Sequence, residues 1–238
     1  MKNLYQDILK AKATGTKLLA ILLDPDKIQP ATLPYTIQKI NQSPATHIFI
    51  GGSRVLEDVI HEQIRIIKQH SNLPVIIFPG HPSQISPEAD GILFLSLISG
   101  RNPDYLIGHH VEAAPILRNT DLEILPTAYI LIDGGKQTAV EMVSETESLP
   151  ISGIDKILHT AQAGEMLGMS LIYLEAGSGA DKAVPLEVIS TVSSGTSIPL
   201  ICGGGITSHQ QITNAYEAGA DMVVIGTAFE NNNSFFEQ

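Results

Sequence analysis

The stretch IPLICGGGITSHQQITNAYEAGADMVVIGT, residues 198–227, contains one complete strand–helix–strand unit. An apolar run stands at each end of it, and both runs finish in glycine. Between them, Ser208 is placed to cap a helix over 210–218, and Gly219 follows at the position where a left-handed residue ends a helix. A helix that joins two buried strands is typical of a βαβ unit, so the two strands are predicted to be parallel.

Six further apolar runs precede this unit. All are rich in Ile, Leu and Val with little polar alternation, as in strands that are buried on both faces. The eight predicted strands lie within KLLAILLD (17–24), HIFIGG (47–52), PVIIFPG (74–80), GILFLSL (91–97), EILPTAYILID (123–133), SLIYLEAG (170–177), IPLICGGG (198–205) and DMVVIGT (221–227). Amphipathic helical patterns at 55–69, 154–167 and 186–194 separate several of them.

Eight strands alternating with helices in 238 residues predict an α/β fold, a single modified (β/α)8 TIM barrel that forms one domain over residues 1–238. A doubly wound open sheet is the structural alternative. The segment GHPSQISPEAD, residues 80–90, has too many helix breakers for a full helix, so a loop is expected in place of the third helix. No linker or low-complexity tract indicates a second domain.

The chain carries 14 basic and 25 acidic residues, a formal net charge of −11. Such a surface repels nucleic acid, so no nucleic-acid partner is expected, although backbone N–H groups can still hold a small anion. Cys202 is the only cysteine, which fits a reducing compartment. Neither a signal-peptide pattern nor an apolar stretch of the ~20 residues that span a bilayer is found. The sequence therefore predicts a cytoplasmic protein.

Glycine is concentrated where the last three strands end, in EAGSGA (175–180), CGGGI (202–206) and IGTAF (225–229). Barrel active sites lie at this end of the strands, and the loops after strands seven and eight often bind phosphate. Glycine allows the backbone to approach a ligand and point its N–H groups inward. Gly204, Gly205, Gly226 and Thr227 are therefore predicted to bind a phosphate group. The alternative is that these glycines only form tight turns.

Asp24 ends the first predicted strand within LLDPDK, and Pro25 favours an extended conformation there. A carboxylate at a barrel mouth suits Mg2+, which prefers oxygen ligands. Ser53, after the second strand, offers a hydroxyl to a metal or a phosphate. Capping roles are open as well, for Asp24 or Asp26 in the next turn and for Ser53 at a helix predicted from Val55.

Glu175 ends the sixth strand, where it could orient substrate hydroxyls, act as a general base or pair with a lysine. Tyr173 is predicted to face the same way, because side chains alternate along a strand. His109 and His110 have no third ligand at zinc spacing, so surface or capping roles are expected for the histidines. A GxGxxG after the first strand is absent, which argues against dinucleotide binding.

Taken together, the segments LLDPDK, FIGGSRV, YLEAGSGA, LICGGGI and VVIGTAFE resemble the geranylgeranylglyceryl phosphate synthase family from about Leu18 to Glu230. Related bacterial heptaprenylglyceryl phosphate synthases share the pattern. FPGHPSQIS, ADGILFLSLISGRNP and ILPTAYILIDGG are similar to the second subgroup of the family. The resemblance implies a modified barrel with a loop for its third helix. It also implies Mg2+-dependent transfer of a prenyl group from a diphosphate to the 3-hydroxyl of sn-glycerol 1-phosphate.

Site roles follow from the same resemblance. It implies that Asp24 and Ser53 hold the metal and that Asp24 and Glu175 are catalytic. The residues implied to bind glycerol 1-phosphate are Tyr173, Leu174, Glu175, Ala176, Gly177, Ser178, Gly179, Gly204, Gly205, Gly226 and Thr227. The sequence departs from the family at Leu22, where some members carry a phosphate-contacting Lys. Backbone N–H groups, Arg101 or Lys27 would have to compensate.

The expected partners are sn-glycerol 1-phosphate and a polyprenyl diphosphate. The likeness to the second subgroup favours a geranylgeranyl donor, while a heptaprenyl donor, a sugar-phosphate isomerase or lyase, and a non-catalytic phosphate-binding barrel are the alternatives. The predicted wall of a prenyl groove comprises Phe78, Leu97, Ile98 and Tyr129, covered by loop 80–90, with Leu125 and Pro126 limiting the chain length. A short final helix favours a homo-oligomer, and contact with a membrane surface is left open.

Overall fold

In a computed structural model, which describes residues 3–53 and 59–237, eight parallel strands close into a barrel. The strands are β1 (Leu18–Leu23), β2 (His47–Ile50), β3 (Val75–Ile77), β4 (Gly91–Leu97), β5 (Glu123–Leu131), β6 (Leu171–Glu175), β7 (Leu200–Gly203) and β8 (Met222–Ile225). Each pairs with its neighbours in chain order, and β1 closes the ring on β8 with Ile21 opposite Ile225. This confirms the predicted TIM barrel, and every predicted apolar run contains a strand.

Helices connect most of the strands. They are α1 (Leu4–Thr14), α2 (Leu33–Asn41), α3 (Ile60–His70), α4 (His109–Leu117), α5 (Ala139–Ser144), α6 (Ile154–Met166), α7 (Leu186–Gly195), α8 (His209–Glu217) and α9 (Thr227–Asn231). As predicted, Ser208 caps α8 by accepting a hydrogen bond from the N–H of Gln211, and Gly219 follows with φ +113°. The predicted helix at 55–69 is observed as α3. Its predicted start at Val55 lies outside the described residues.

The helix that follows the third strand in a regular TIM barrel is replaced here by a loop. Between β3 and β4, where every residue is described, the only helical element is a single 3₁₀ turn, Pro82–Gln84. The two prolines and the glycine of GHPSQISPEAD explain this, since neither residue type supports a helix interior. A loop rather than a helix therefore connects β3 to β4 on the outside of the barrel.

Two concentric cores stabilise the barrel. Alternate side chains of the strands fill the interior, among them Phe49, Leu125 and Tyr173. The intervening side chains, such as Leu174, pack outward against the helices. Burial of each such side chain contributes ~1.5–3 kcal/mol relative to exposure.

Helix α1 closes the bottom of the barrel. Leu4, Ile8 and Ala11 pack into the interior core. The carboxylate of Glu123, at the start of β5, accepts hydrogen bonds from the N–H groups of Leu4 (2.6 Å) and Tyr5 (2.8 Å) at the N-terminus of α1. With this end closed, ligands can enter only at the opposite end, where the strands finish. Among the described residues, no helix is long and apolar enough to cross a membrane.

Candidate active site

The C-terminal mouth of the barrel contains a cavity of about 600 Å³. Its wall includes ten residues that were predicted from the sequence to be functional: Asp24, Ser53, Tyr173, Glu175, Ser178, Gly179, Gly204, Gly205, Gly226 and Thr227. Leu174 and Ala176 pack in the outer core instead, so only their main chains could contact a ligand. Gly177 lies just behind the wall, where it contacts Glu175.

The glycine turns have conformations that other residues rarely adopt. Gly204 and Gly205 have φ of +80° and +67°. A Cβ atom on Gly204 would lie only 2.4 Å from Oε1 of Glu175 and 2.5 Å from the backbone nitrogen of Gly177. The turns after β6 and β8 also meet, because the hydroxyls of Ser178 and Thr227 are 3.3 Å apart. Glycine is thus required at residue 204, where the backbone packs closely against the turn that follows β6.

Glu175 is a buried acid at the centre of this wall. Its side chain is about 5% exposed, and Oε1 accepts a 2.7 Å hydrogen bond from the N–H of Gly177. Burial raises the pKa of Glu175 to about 7, against the opposing effects of the Gly177 bond and the neighbouring Tyr173 phenol. A carboxyl with a pKa near neutrality can accept a proton at physiological pH.

Tyr173 stands below Glu175 on the same face of β6, as predicted. Among the described residues its buried hydroxyl has no partner at hydrogen-bond geometry. Burial, followed by the charge of Glu175, holds the pKa of Tyr173 well above its usual value, so the phenol stays neutral. Phe78 stacks on the Tyr173 ring with centroids 5.3 Å apart. The polar end of Tyr173 is therefore available to a ligand hydroxyl in an otherwise aromatic pocket.

Asp24 makes a local turn contact, one of the roles that the sequence left open, and forms an ion pair with Lys27. Oδ1 accepts a hydrogen bond from the N–H of Asp26 at 3.2 Å, which is a local turn contact, while Oδ2 lies 3.1 Å from Nζ of Lys27. Glu230, in the short helix α9, binds the same ammonium at 3.1 Å. Burial acts to lower the pKa of Lys27, but Glu230 and Asp24 outweigh it and raise that pKa.

This donor set fits a magnesium ion. The Lys27 ammonium already lies between the carboxylates of Asp24 and Glu230, which shows that the position favours positive charge. The hydroxyl of Ser53 lines the same cavity. Carboxylate and hydroxyl oxygens are the ligands that Mg2+ prefers. Asp24, Ser53 and Glu230 are therefore the residues that could hold the metal.

The structure also shows what surrounds Leu22, where some members of the family carry a phosphate-contacting lysine. Leu22 lines the cavity with an apolar side chain, and Lys27 lines it nearby. Arg101 does not line it, because its guanidinium donates to the carbonyls of Ile98 and Gly100 outside the mouth. Lys136, which pairs with Asp181 at 3.4 Å, has its ammonium close to Gly179. Lys27 on the cavity wall and Lys136 beside Gly179 are thus two cations close to the site.

Sequence reasoning missed Glu230 and Lys136. Both follow strand ends, in VVIGTAFE and DGGK, and that position was a usable signal. Glu230 also stabilises the turn after β1, because its Oε1 accepts a 3.2 Å hydrogen bond from the N–H of Asp24. Only closure of the barrel brings the loop after β8 to the loop after β1.

An apolar groove continues from the cavity along β4. The two share wall residues at their junction, among them Ser53, Phe78 and Tyr129. Farther out, the groove is lined by Phe94, His110 and Ala113 and is covered by the loop that contains His81 and Pro82. The groove therefore occupies part of the space that a helix between β3 and β4 would have filled.

The structure brings together part of the wall that the sequence predicted for a prenyl groove. Phe78, Leu97 and Tyr129 line it as predicted. Ile98 instead packs in the outer core beside Gly164. Leu125 lies in the barrel interior at the start of β5, so neither it nor Pro126 limits the groove. The error arose because strand direction puts the beginning of β5 at the bottom of the barrel, far from the mouth.

Comparison with known proteins agrees with this geometry. The model of the PcrB family matches residues 7–238. A geranylgeranylglyceryl phosphate synthase of Flavobacterium johnsoniae is 61% identical over 237 residues, covering 100% of this chain and 98% of the relative. One from Zunongwangia profunda is 51% identical, covering 97% and 98%. The crystal structure of (S)-3-O-geranylgeranylglyceryl phosphate synthase from Thermoplasma acidophilum with its substrate sn-glycerol-1-phosphate superposes with a TM-score of 0.93 at 34% identity, covering 100% of this chain and 95% of that one.

Proposed function

The chain belongs to the PcrB family, and on that premise we propose that it transfers a geranylgeranyl group from its diphosphate to the 3-hydroxyl of sn-glycerol 1-phosphate. One observation carries the proposal. A cavity with glycine turns and a buried carboxylate opens directly into an apolar groove, and Phe78 and Tyr129 lie at the junction. Such a site suits one small polar substrate and one long apolar substrate that meet end to end.

Glycerol 1-phosphate is placed on the glycine side of the cavity. The Thermoplasma acidophilum relative was solved with this substrate. In the present chain the turns at Gly204 and Gly226, with the hydroxyls of Ser178 and Thr227, offer N–H and O–H donors to the phosphate. The glycerol hydroxyls then reach Glu175 and the unpartnered phenol of Tyr173.

The prenyl diphosphate spans the junction, with its tail in the groove and its charged end near Asp24. Mg2+ held there, when bound, would neutralise charge on the leaving diphosphate. Lys27 lies beside Asp24 and can contribute positive charge to the same group. Its ammonium would replace the phosphate-contacting lysine that some members of the family carry at the position of Leu22.

The reaction is a substitution at the first carbon of the prenyl chain. The glycerol 3-hydroxyl oxygen forms the new C–O bond, the carbon–diphosphate bond breaks, and diphosphate leaves with the bonding electrons. Glu175 accepts the hydroxyl proton, which a carboxyl with a pKa of about 7 can do near neutral pH. Glu175 and Tyr173 also orient the nucleophile, and proximity supplies a further part of the rate.

The rival enzyme class is less well supported. A sugar-phosphate isomerase or lyase normally needs a second acid–base group beside Glu175. The titratable neighbours that interact with Glu175 among the described residues are Tyr129, Tyr173 and Cys202. Burial raises the pKa of each of them well above its usual value, so they exchange protons poorly near neutrality. An apolar groove has no use in that chemistry, and a non-catalytic barrel has no need of a titrating buried acid.

Two further expectations belong to the proposal. A homo-oligomer is supported by Met166 and Leu167, which are 85% and 73% exposed at the end of α6. Light scattering of the purified protein measures the assembly. A cytoplasmic location is supported by the single cysteine, and fractionation of cells tests it.

The direct test is incubation with labelled sn-glycerol 1-phosphate, Mg2+ and prenyl diphosphates of increasing length. Label should pass into the organic phase with the geranylgeranyl donor, and the product mass should show one prenyl group on glycerol phosphate. The matched control is the mirror-image substrate, sn-glycerol 3-phosphate, which should react poorly. Organic-phase product from neither substrate with any donor would disprove the proposal.

A further inference from the structure

Two histidines and a glutamate meet at the outer rim of the apolar groove. His81 lies on the loop between β3 and β4, while His109 and Glu112 are in the first turns of α4. Each residue offers one potential ligand atom, and these three atoms lie within 4.8 Å of one another. None of the three lines the mouth cavity, whereas His81 and His109 line the apolar groove, so the cluster lies apart from Glu175 and the glycine turns.

His109 is the least exposed member of the cluster. Its ring packs edge-on against His81 and Tyr105, with centroids 5.1 Å and 4.9 Å apart. Both of its ring nitrogens are shielded from solvent, and neither has a hydrogen-bond partner among the described residues. The nearest carboxylate oxygen, Oε2 of Glu112, is 4.0 Å from Nδ1 and too distant for a hydrogen bond. Shielded ring nitrogens of this kind need a partner, which an ion or a water molecule can supply.

His81 is oriented toward the same point by its own loop. Nδ1 lies 3.0 Å from the hydroxyl of Ser83. The N–H of Ser83 also donates to Nδ1 at 3.2 Å, so Nδ1 is the acceptor in this structure. Nε2 binds a metal only when the ring proton moves to Nδ1, which then donates to the Ser83 hydroxyl. Metal-binding histidines are commonly fixed in this way, with one ring nitrogen hydrogen-bonded and the other on the ion.

We propose that His81, His109 and Glu112 bind a transition-metal ion of the Zn2+ class, with water as a fourth ligand. Two imidazoles and one carboxylate form a donor set that zinc uses with an open position. Bonds of about 2.1 Å require the donors to move closer than they are. Side chains of His81 and Glu112 are exposed and can turn toward His109. Mg2+ prefers oxygen ligands and competes weakly for this site.

A bound ion has a structural consequence. His81 belongs to the loop that covers the groove, whereas His109 and Glu112 belong to the helix on its other side. The ion therefore ties the loop to α4 across the rim of the groove. Backbone motion in residues 79–86 should decrease when the metal binds.

Titration of untagged, chelator-stripped protein with Co2+ and then Zn2+, in Mg2+ buffer, tests the site. One equivalent of Co2+ should give the intense visible absorption of a tetrahedral complex, which Zn2+ abolishes. His81→Ala should weaken zinc binding by at least ~10-fold, since even outer-shell partners of metal ligands matter by that factor. His109→Ala should weaken it at least as much, and His159→Ala, at an exposed histidine of α6, should not change it.

Thermal unfolding of each variant shows whether it folds, and exposed His81 provides a test even if His109→Ala does not fold. No tetrahedral Co2+ complex in the wild type, or equal zinc affinity in wild type and His81→Ala, would overturn the site. Amide hydrogen exchange in residues 79–86 should slow by several-fold on addition of Zn2+. Unchanged exchange with bound zinc would overturn the proposed tie between loop and helix.

Discussion

The backbone N–H of Gly177 donates a 2.7 Å hydrogen bond to Oε1 of Glu175, the buried acid at the centre of the barrel mouth. This bond favours the charged carboxylate, whereas burial favours the neutral acid. Burial has the larger effect and raises the pKa to about 7, while the bond keeps it from rising further. The strand end and the glycine turn that follows it thus set the titration of one group together.

Substitution Glu175→Gln keeps the shape of the side chain but removes the base. We expect turnover to fall by ~10²–10⁴-fold, the usual contribution of a general base. In the wild type, kcat/KM should decline as the pH falls through about 7, because the acid then becomes protonated. Steady-state rates across pH measure both effects. A variant that retains the wild-type rate and acid limb would remove Glu175 from the reaction.

The same residue should lower stability at alkaline pH. The folded pKa of about 7 is above the ordinary value of 4.5, so the stabilisation from its proton is complete below about 4.5 and is lost as the pH rises through about 7. A charge at this buried position then costs about 2–3 kcal/mol. Glu175→Gln should therefore raise the free energy of unfolding relative to wild type above pH ~7, with a smaller difference near pH ~5.

Urea denaturation at the two pH values measures that difference. Glu187→Gln, at an exposed glutamate of α7, is the matched control and should change stability little at either pH. A stability difference between Glu175→Gln and wild type that does not grow with pH would contradict the raised pKa.

Gly204 and Gly168 have nearly the same backbone conformation in different surroundings. Their φ angles are +80° and +87°, but a Cβ on Gly168 meets nothing within 4 Å, whereas one on Gly204 approaches Glu175 Oε1 to 2.4 Å. Gly168→Ala should cost only the ~1–2 kcal/mol of the left-handed conformation. Gly204→Ala should cost more and should also weaken glycerol 1-phosphate binding by more than ~10-fold, since the turn must move.

Calorimetric titration with glycerol 1-phosphate and denaturation of both variants provide the comparison. Because the conformational strain is shared, the difference between the two alanine variants isolates the crowding at the site. Equal ligand affinity in the two variants would place the phosphate elsewhere.

Much of the fold could be predicted because parallel barrel strands are apolar on both faces. IPLICGGG and DMVVIGT show where strands end as well as where they lie, and all such ends meet at one mouth. The ion cluster of Asp24, Lys27 and Glu230 could not be predicted in the same way. Its members are 206 residues apart in sequence at most, and only the pairing of β1 with β8 brings them together.

The wall of the groove was harder to predict for another reason. A groove that passes from the barrel interior to the outer face of β4 uses side chains from both faces of one strand, such as Leu93 and Phe94. Strand alternation therefore does not distinguish its lining from ordinary core residues. The grouping of His81 with His109 was not predicted, because the two histidines come from different elements and no short spacing links them.

Asp24 and Asp26 provide a matched pair of carboxylates for testing the metal. Asp24→Asn should lower the rate by ~100-fold or more, because charge stabilisation by a metal contributes several kcal/mol. It should also raise the Mg2+ concentration needed for half-maximal activity. Asp26→Asn changes the net charge equally at an exposed position outside the cavity wall and should have little effect. Unaltered Mg2+ dependence in Asp24→Asn would exclude this carboxylate as the metal ligand.

Ala113 and Ala114 are adjacent in α4 but face opposite ways. Ala113 is buried and lines the outer part of the groove, whereas Ala114 is exposed. Ala113→Leu should shorten the groove, so that the last isoprene unit of a geranylgeranyl chain is no longer buried. At ~0.8 kcal/mol per buried carbon, the five carbons of that unit amount to about 4 kcal/mol, or roughly a 1,000-fold rise in KM for that donor.

Farnesyl diphosphate, which is one isoprene unit shorter, should be used by Ala113→Leu as well as by the wild type. The selectivity of the variant therefore shifts toward the shorter donor, and kcat/KM for both donors measures the shift. Ala114→Leu adds the same side chain to the solvent side of α4 and should leave selectivity unchanged. If the two leucine variants kept the same preference, the prenyl tail would have to follow a path other than the groove beside β4, because only there does the side chain of residue 113 meet it.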